Sequence, residues 1–298
     1  MRNAYHLSAA LLMLSASAAV SASDRDYDRT VAAQPHGVVD ISNVAGRVEV
    51  RGWDRAEVSV HGELEEGVER VDVSSEGGRT IIKVVLPHNS GRHGEAQLKV
   101  QIPKGSELDV SAVSADVATS GVQGMQRLSA VSGDVSAELY GGDLELKTVS
   151  GDVHLKGHGQ PAKLHVSTVS GDMHLEHGAG DLEAGTVSGT LVATLDTARS
   201  VRVRSTSGDL RFDGRLAHGA SFDASTVSGD LNVRASADGG FAFEVSSFSG
   251  DITNCFGVKA ERTSQYGPGS VLQGTRGEGA GHVRLKTMSG DVQLCDRT

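Results

Sequence analysis

One five-residue phrase sets the fold of this 298-residue chain, because it returns along most of the sequence. It stands as Val149-Ser150-Gly151-Asp152-Val153, with further copies centred on Ser132-Gly133-Asp134, Ser170-Gly171-Asp172, Ser207-Gly208-Asp209, Ser228-Gly229-Asp230, Ser249-Gly250-Asp251 and Ser289-Gly290-Asp291. Val113-Ser114-Ala115-Asp116-Val117 and Val187-Ser188-Gly189-Thr190-Leu191 are degenerate copies. Successive serines are spaced by 18, 18, 20, 18, 19, 21, 21 and 40 residues, the last reading as two steps of 20. A fixed period of this size marks units that bury their apolar sides only by stacking on one another. The sequence therefore predicts an all-β, parallel β-solenoid of about 20 residues per coil, with matching serines as vertical neighbours.

Within one unit, Leu144, Leu146 and Thr148 share one parity, whereas Val149, Gly151, Val153 and Leu155 share the other. A period of two that slips by one residue means a corner, placed at Thr148-Val149, with apolar groups inward on both sides. Each coil then has at least two short strands. Gly151 has two readings: an inward position where a Cβ would crowd the next backbone, or part of a tight Ser-Gly-Asp turn.

Residues 106–298 carry the repeats, with an expected insertion at 256–281. Residues 38–105 read as an N-terminal β segment instead, with alternating runs at 38–44, 47–53, 57–64, 70–75, 80–86 and 96–102. Such a segment would cover the open end of the stack, where strand edges and core are otherwise exposed. Residues 23–37 are expected as a short linker. Residues 1–22 read as a secretory signal, with Arg2 in the n-region, an apolar run over 7–14, and Val20-Ser21-Ala22 before the cleavage point. The apolar run is too short for a permanent anchor, so the mature chain is expected in the periplasm or at the cell surface, without a transmembrane anchor.

Removing the signal would leave 27 basic against 38 acidic side chains, a net charge near −11. That balance argues against nucleic acid and anionic lipid as partners. Aromatic residues make up only 4% of the chain, little material for stacking sugars or bases.

Three groups of residues are candidates for chemistry. The aspartates should form a file about 4.8 Å apart, solvated, hydrogen-bonded or ion-bound. Calcium needs six or more oxygens, which one Asp and one Ser per coil do not supply, so turn capping is favoured. His154 and His174 occupy matching positions on neighbouring coils, with His158 and His177 in the loops that follow, a set that could hold zinc or copper or form a solvated polar column. Cys255 and Cys295 each lie six residues after the serine of their phrase. They suit a disulfide in an oxidising compartment if 256–281 loops out between adjacent coils; two free thiols are the alternative. The carboxylates are spread evenly with the repeat, and no Ser-His-Asp or metal-protease spacing appears. No enzyme activity or cofactor is expected.

The recurrent Ser-Gly-Asp-aliphatic phrases, the opening Val44-Ala45-Gly46-Arg47-Val48-Glu49-Val50-Arg51-Gly52-Trp53-Asp54-Arg55 and the late Ser264-Gln265-Tyr266-Gly267-Pro268-Gly269-Ser270 resemble a widespread bacterial family of β-strand-repeat proteins of unknown function that carries an adhesin label. The resemblance covers nearly all of the mature chain. It implies the fold and brings no catalytic or binding residues. The expected role is an exported, non-catalytic scaffold of the cell envelope, meeting a surface protein or glycan; a metal- or ligand-sensing envelope protein is the alternative, and a polysaccharide-active enzyme a more distant one.

Overall fold

A computed structural model describes residues 25–87, 94–263 and 268–297. The secretory signal expected at 1–22 lies outside them. All regular structure in these residues is β-strand. Among the described residues, no helix is long and apolar enough to cross a membrane.

The repeat phrase marks the corner of each rung of a solenoid-like stack. β10 (Leu144–Ser150) lies parallel between β8 (Gln126–Ser132) and β12 (Pro161–Ser170), so that Ser150 pairs with Ser132 and Ser170. Past the corner, β11 (Val153–Gly157) lies parallel between β9 (Val135–Leu139) and β13 (Met173–Ser188). Each rung thus gives one strand to each of two facing sides of a single continuous sheet. β13 continues from the second strand of one rung into the first strand of the next, as do β14 (Leu191–Ser207) and β15 (Leu210–Ser228). Pairing carries the serine file through Ser114, Ser132, Ser150, Ser170, Ser188, Ser207 and Ser228.

The core lies between these two sides. Leu144, Leu146, Val153 and Leu155 are buried, as are their counterparts up and down the stack except in the outermost rung, where Ile252 and Asn254 are half-buried. Each large aliphatic side chain buried this way is worth roughly 1.5 to 3 kcal/mol, a burial that is complete only when a rung has a neighbour stacked on each side. Val149, expected to point inward, does not: it is 48% exposed, whereas Thr148 is buried. The corner is wider than the parity slip suggested, running from Val149 to Asp152. It is closed from within by the Thr148 Oγ1, which donates to the Ser150 carbonyl at 3.3 Å, as Thr168 and Thr186 do to Ser170 and Ser188.

Gly151 lies half-buried within the corner, where a Cβ would crowd the neighbouring backbone. Its φ is +122°, and a Cβ there would lie 2.1 Å from the Gly133 carbonyl oxygen of the rung below. A side chain would need both a disfavoured backbone and space that is already filled.

At each end the spatial order departs from the chain order. β2 (Val38–Trp53) is one complete rung, with β7 (Glu107–Ser120) parallel on one side. On its other side lie β5 (Arg79–Val85) and β6 (Ala96–Pro103), also parallel. The outer edges are then covered by antiparallel strands: β4 (Arg70–Glu76) on β5, β3 (Glu57–Leu64) on β6, and β1 (Arg25–Ala32) on β3. Most of the 23–37 stretch expected as a linker is therefore a paired strand, whose alternation is masked by its run of charged residues.

At the other end, the rung formed by β15 and β16 (Leu231–Ala237) is followed in space by β21 (Gly281–Ser289) and β22 (Val292–Cys295). The rung that follows in sequence, β17 (Gly240–Ser249) and β18 (Ile252–Asn254), lies beyond it. Residues 256–281 hold β19 (Glu261–Arg262) and β20 (Ser270–Gly277), which pair antiparallel outside β17 rather than forming a rung. The step of 40 between Ser249 and Ser289 is thus a single rung, taken backwards into the stack.

Candidate interaction edge

The corner turns one residue per rung outward, and that residue is apolar almost throughout. Val113, Val131, Val149, Val169, Val187 and Val227 are 47% to 50% exposed, with Met288 and Phe248 slightly more so and Val44 somewhat less. Thr206 fills the one polar position. Across ten rungs at about 4.8 Å each, the column is about 43 Å long. An apolar strip of this length and regularity is not the scatter of single hydrophobic residues found on any surface.

Two polar files border it. On one side stand the paired serines and, two residues further on, the aspartates. Each carboxylate accepts the amide N–H of the aspartate one rung along: Asp152 N–H donates to Asp134 Oδ1 at 2.9 Å, Asp172 N–H to Asp152 Oδ1 at 2.9 Å and Asp291 N–H to Asp230 Oδ1 at 2.8 Å. Asp251 continues the file onto Asp291, and Thr190 donates to Asp172 but has no carboxylate to pass on. The aspartates therefore cap the corner amides, the turn-capping role favoured over calcium. In the same turns, the Asp134, Asp152 and Asp209 carbonyls accept from Val117, Val135 and Leu191, so the parallel ladder passes through the corner without a gap.

The other border is the outward row two residues before the apolar column. Register places Ser111, Ser129, Lys147, Ser167, Gly185, Arg204, Ser225, Lys286 and Ser246 in one file. It is small and neutral except for three cations. Lys147 donates to Glu145 at 2.6 Å and holds that carboxyl below its usual range. Arg204 and Lys286 form no ion pair with any described residue.

Of the histidines singled out from sequence, His154 and His174 are register partners on neighbouring rungs, as expected, while His158 and His177 point to other partners. His154 stacks on His174, ring centroids 5.3 Å apart. His158 stacks on Tyr140 at 4.3 Å, while His177 faces Asp196 at 3.3 Å. Among the described residues no group of three or more metal-ligating side chains is gathered. Cys255 and Cys295 are joined as a disulfide with Cα atoms 4.9 Å apart, across the two outermost parallel rungs.

The outward column escaped the sequence reading because a valine at a strand end looks like core. One signal was available: this position accepts Val, Thr206, Phe248 and Met288 alike, a range of volumes that a shared interior would not tolerate.

The family model described as Toastrack DUF4097 matches residues 39–295. The chain belongs to this family. No curated protein matches this Toastrack chain. Among solved structures, it is similar to a putative adhesin from Bacteroides fragilis at 11% identity and a TM-score of 0.36, covering 92% of this chain and 98% of that one. A putative adhesin from Parabacteroides merdae gives 10% identity and a TM-score of 0.33, covering 91% and 96%. A putative cell adhesion protein from Clostridium sporogenes gives 8% identity and a TM-score of 0.22, covering 92% and 100%.

Proposed function

We propose that this Toastrack chain is an exported, non-catalytic scaffold of the bacterial cell envelope, periplasmic or surface-exposed, which works by presenting one long rigid edge to another macromolecule. In this reading the solenoid of about 20 residues per coil supplies the rigidity. Residues 38–105 serve as an N-terminal cap, a role supported by the antiparallel β3 and β4 that cover the outer strand edges.

The observation that carries the reading is the exposed apolar column. A side chain left half in water on every rung leaves that half of its burial unused in a single copy, and a partner that covers it recovers about 25 cal/mol for each Å² of apolar surface. The charged side chains, by contrast, follow the repeat and pair at the surface, one to one as with Arg199 and Asp181 at 2.9 Å, or one to two as with Arg127 and the carboxylates of Glu107 and Asp109. That distribution suits a surface used for contact more than one that concentrates reactive groups.

The test is a photo-crosslinking residue placed at Val149 or Val169 in the full chain, expressed in its native cell, with Arg202 on the sheet face as the control. Envelope-fraction adducts from the two column positions and none from the control are expected. Cytoplasmic fractionation, or equal crosslinking at all three positions, would overturn the reading.

A further inference from the structure

We infer that the occupant of this edge is a second copy of the same chain, aligned in parallel about a two-fold axis that runs along the stack. The inference rests on the edge reading above and adds the partner and its orientation.

The first ground is repeat matching. A partner that meets every rung must itself repeat at the rung spacing. An α-helix advances about 5.4 Å per turn against about 4.8 Å per rung, so over nine steps it falls about one rung out of step. Another stack of the same rise stays in step throughout, and a copy of this chain offers the same column at the same spacing.

Charge then fixes the orientation. The aspartate file lies on one border of the column, and Lys147, Arg204 and Lys286 lie on the other, each on the same rung as Asp152, Asp209 and Asp291 respectively. In a parallel two-fold pair the cationic border of each copy faces the carboxylate border of the other. In an antiparallel pair the carboxylate files face each other, and like charges juxtaposed across an interface suppress that arrangement. Arg204 and Lys286 have no ion pair within the described chain, so both are available.

Area and shape agree. Ten half-exposed side chains present on the order of 700 Å² of surface, close to the roughly 800 Å² per partner of a stable interface. The cationic border is otherwise Ser or Gly, short enough to let a second column close in. Isologous contact of this kind is the commonest way for a soluble chain to pair with itself.

The experiment is sedimentation equilibrium on the mature full chain, with two sets of variants. Wild type is expected to be a dimer. Val149→Glu with Val169→Glu is expected to weaken association by about a hundredfold or more while leaving the β circular dichroism unchanged, since both positions face solvent in one copy. Val113→Cys sits near one end of the column, so a parallel pair brings the two thiols together and forms a disulfide-linked dimer; Val169→Cys, near the middle, links in either orientation. A monomeric wild type, a dimer indifferent to the glutamates, or linkage by Val169→Cys without Val113→Cys would each overturn the inference. A monomer that still crosslinks an envelope component from Val149 sinks the second copy and leaves the edge reading standing, whereas a monomer with no such adduct sinks both.

Discussion

Ser228 pairs with Ser289, although 61 residues separate them and Ser249 stands only 21 residues away. The last segment of chain has entered the stack between two rungs that are consecutive in sequence. Nothing in the phrase forbids this, since each copy offers the same serine, glycine and carboxylate to whichever rung lies beside it. The Cys255–Cys295 disulfide joins the inserted rung to the one it displaced outward.

That bond should therefore hold the C-terminal end together. In the chain-entropy picture, closing a loop of about 40 residues is worth about 4 kcal/mol. Cys255→Ser with Cys295→Ser should lower the unfolding free energy by about 3 to 4 kcal/mol in urea titrations, and hydrogen exchange should speed first in β21 and β22. Unchanged exchange there would mean that register alone holds the insertion.

Glycines at the corner and on the sheet face should respond in opposite ways. Gly171 has a φ of +126° and a Cβ would meet the Gly151 carbonyl oxygen at 2.2 Å, while a Cβ at Gly185 meets nothing within 4 Å. Gly171→Ala should cost about 2 kcal/mol or more, and Gly185→Ala should be neutral or slightly stabilising, by denaturant melts.

The position of Val149 can be checked by stability as well as by association. Leu146 is fully buried and Val149 is half in water. Leu146→Ala should cost about 2 to 5 kcal/mol, whereas Val149→Ala, measured with the protein dilute, should change stability by no more than about 0.5 kcal/mol.

The carboxylate file predicts a difference between two substitutions. Asp152→Asn keeps an oxygen for the Asp172 amide, and Asp152→Ala removes it. The alanine variant should lose about 1 kcal/mol relative to the asparagine variant, with faster exchange of the Asp172 amide as the local sign.

Zinc offers a further check. His154 and His174 supply two stacked rings, while His158 and His177 are held elsewhere by Tyr140 and Asp196. Micromolar zinc should leave the melting temperature of the purified chain unchanged; a saturable rise abolished by His174→Ala would show that the rings recruit a further ligand.

Much of this architecture was legible in the letters. The period of the phrase predicts which serines stack, and the spacing of Cys255 and Cys295 anticipates their meeting. Two things were hidden, for different physical reasons. A period-two count detects that a strand changes face at Thr148 but not how many residues the turn consumes, so it places Val149 in the core. The order of rungs at the ends was hidden because parallel pairing depends on what each rung displays, which is nearly identical from Ser132 to Ser289. The strand at Arg25–Ala32 was missed because its edge position leaves most of its side chains in water and erases the alternation.

The burial of the final strand pair has a consequence for how such a molecule can lengthen. A unit appended after Cys295 would emerge from the flank of the pile, where the neighbouring rungs are already taken. A unit duplicated between Ser132 and Ser207 would simply separate two interchangeable floors, leaving the antiparallel lids at top and bottom as they are. Growth of this rod is therefore confined to its middle.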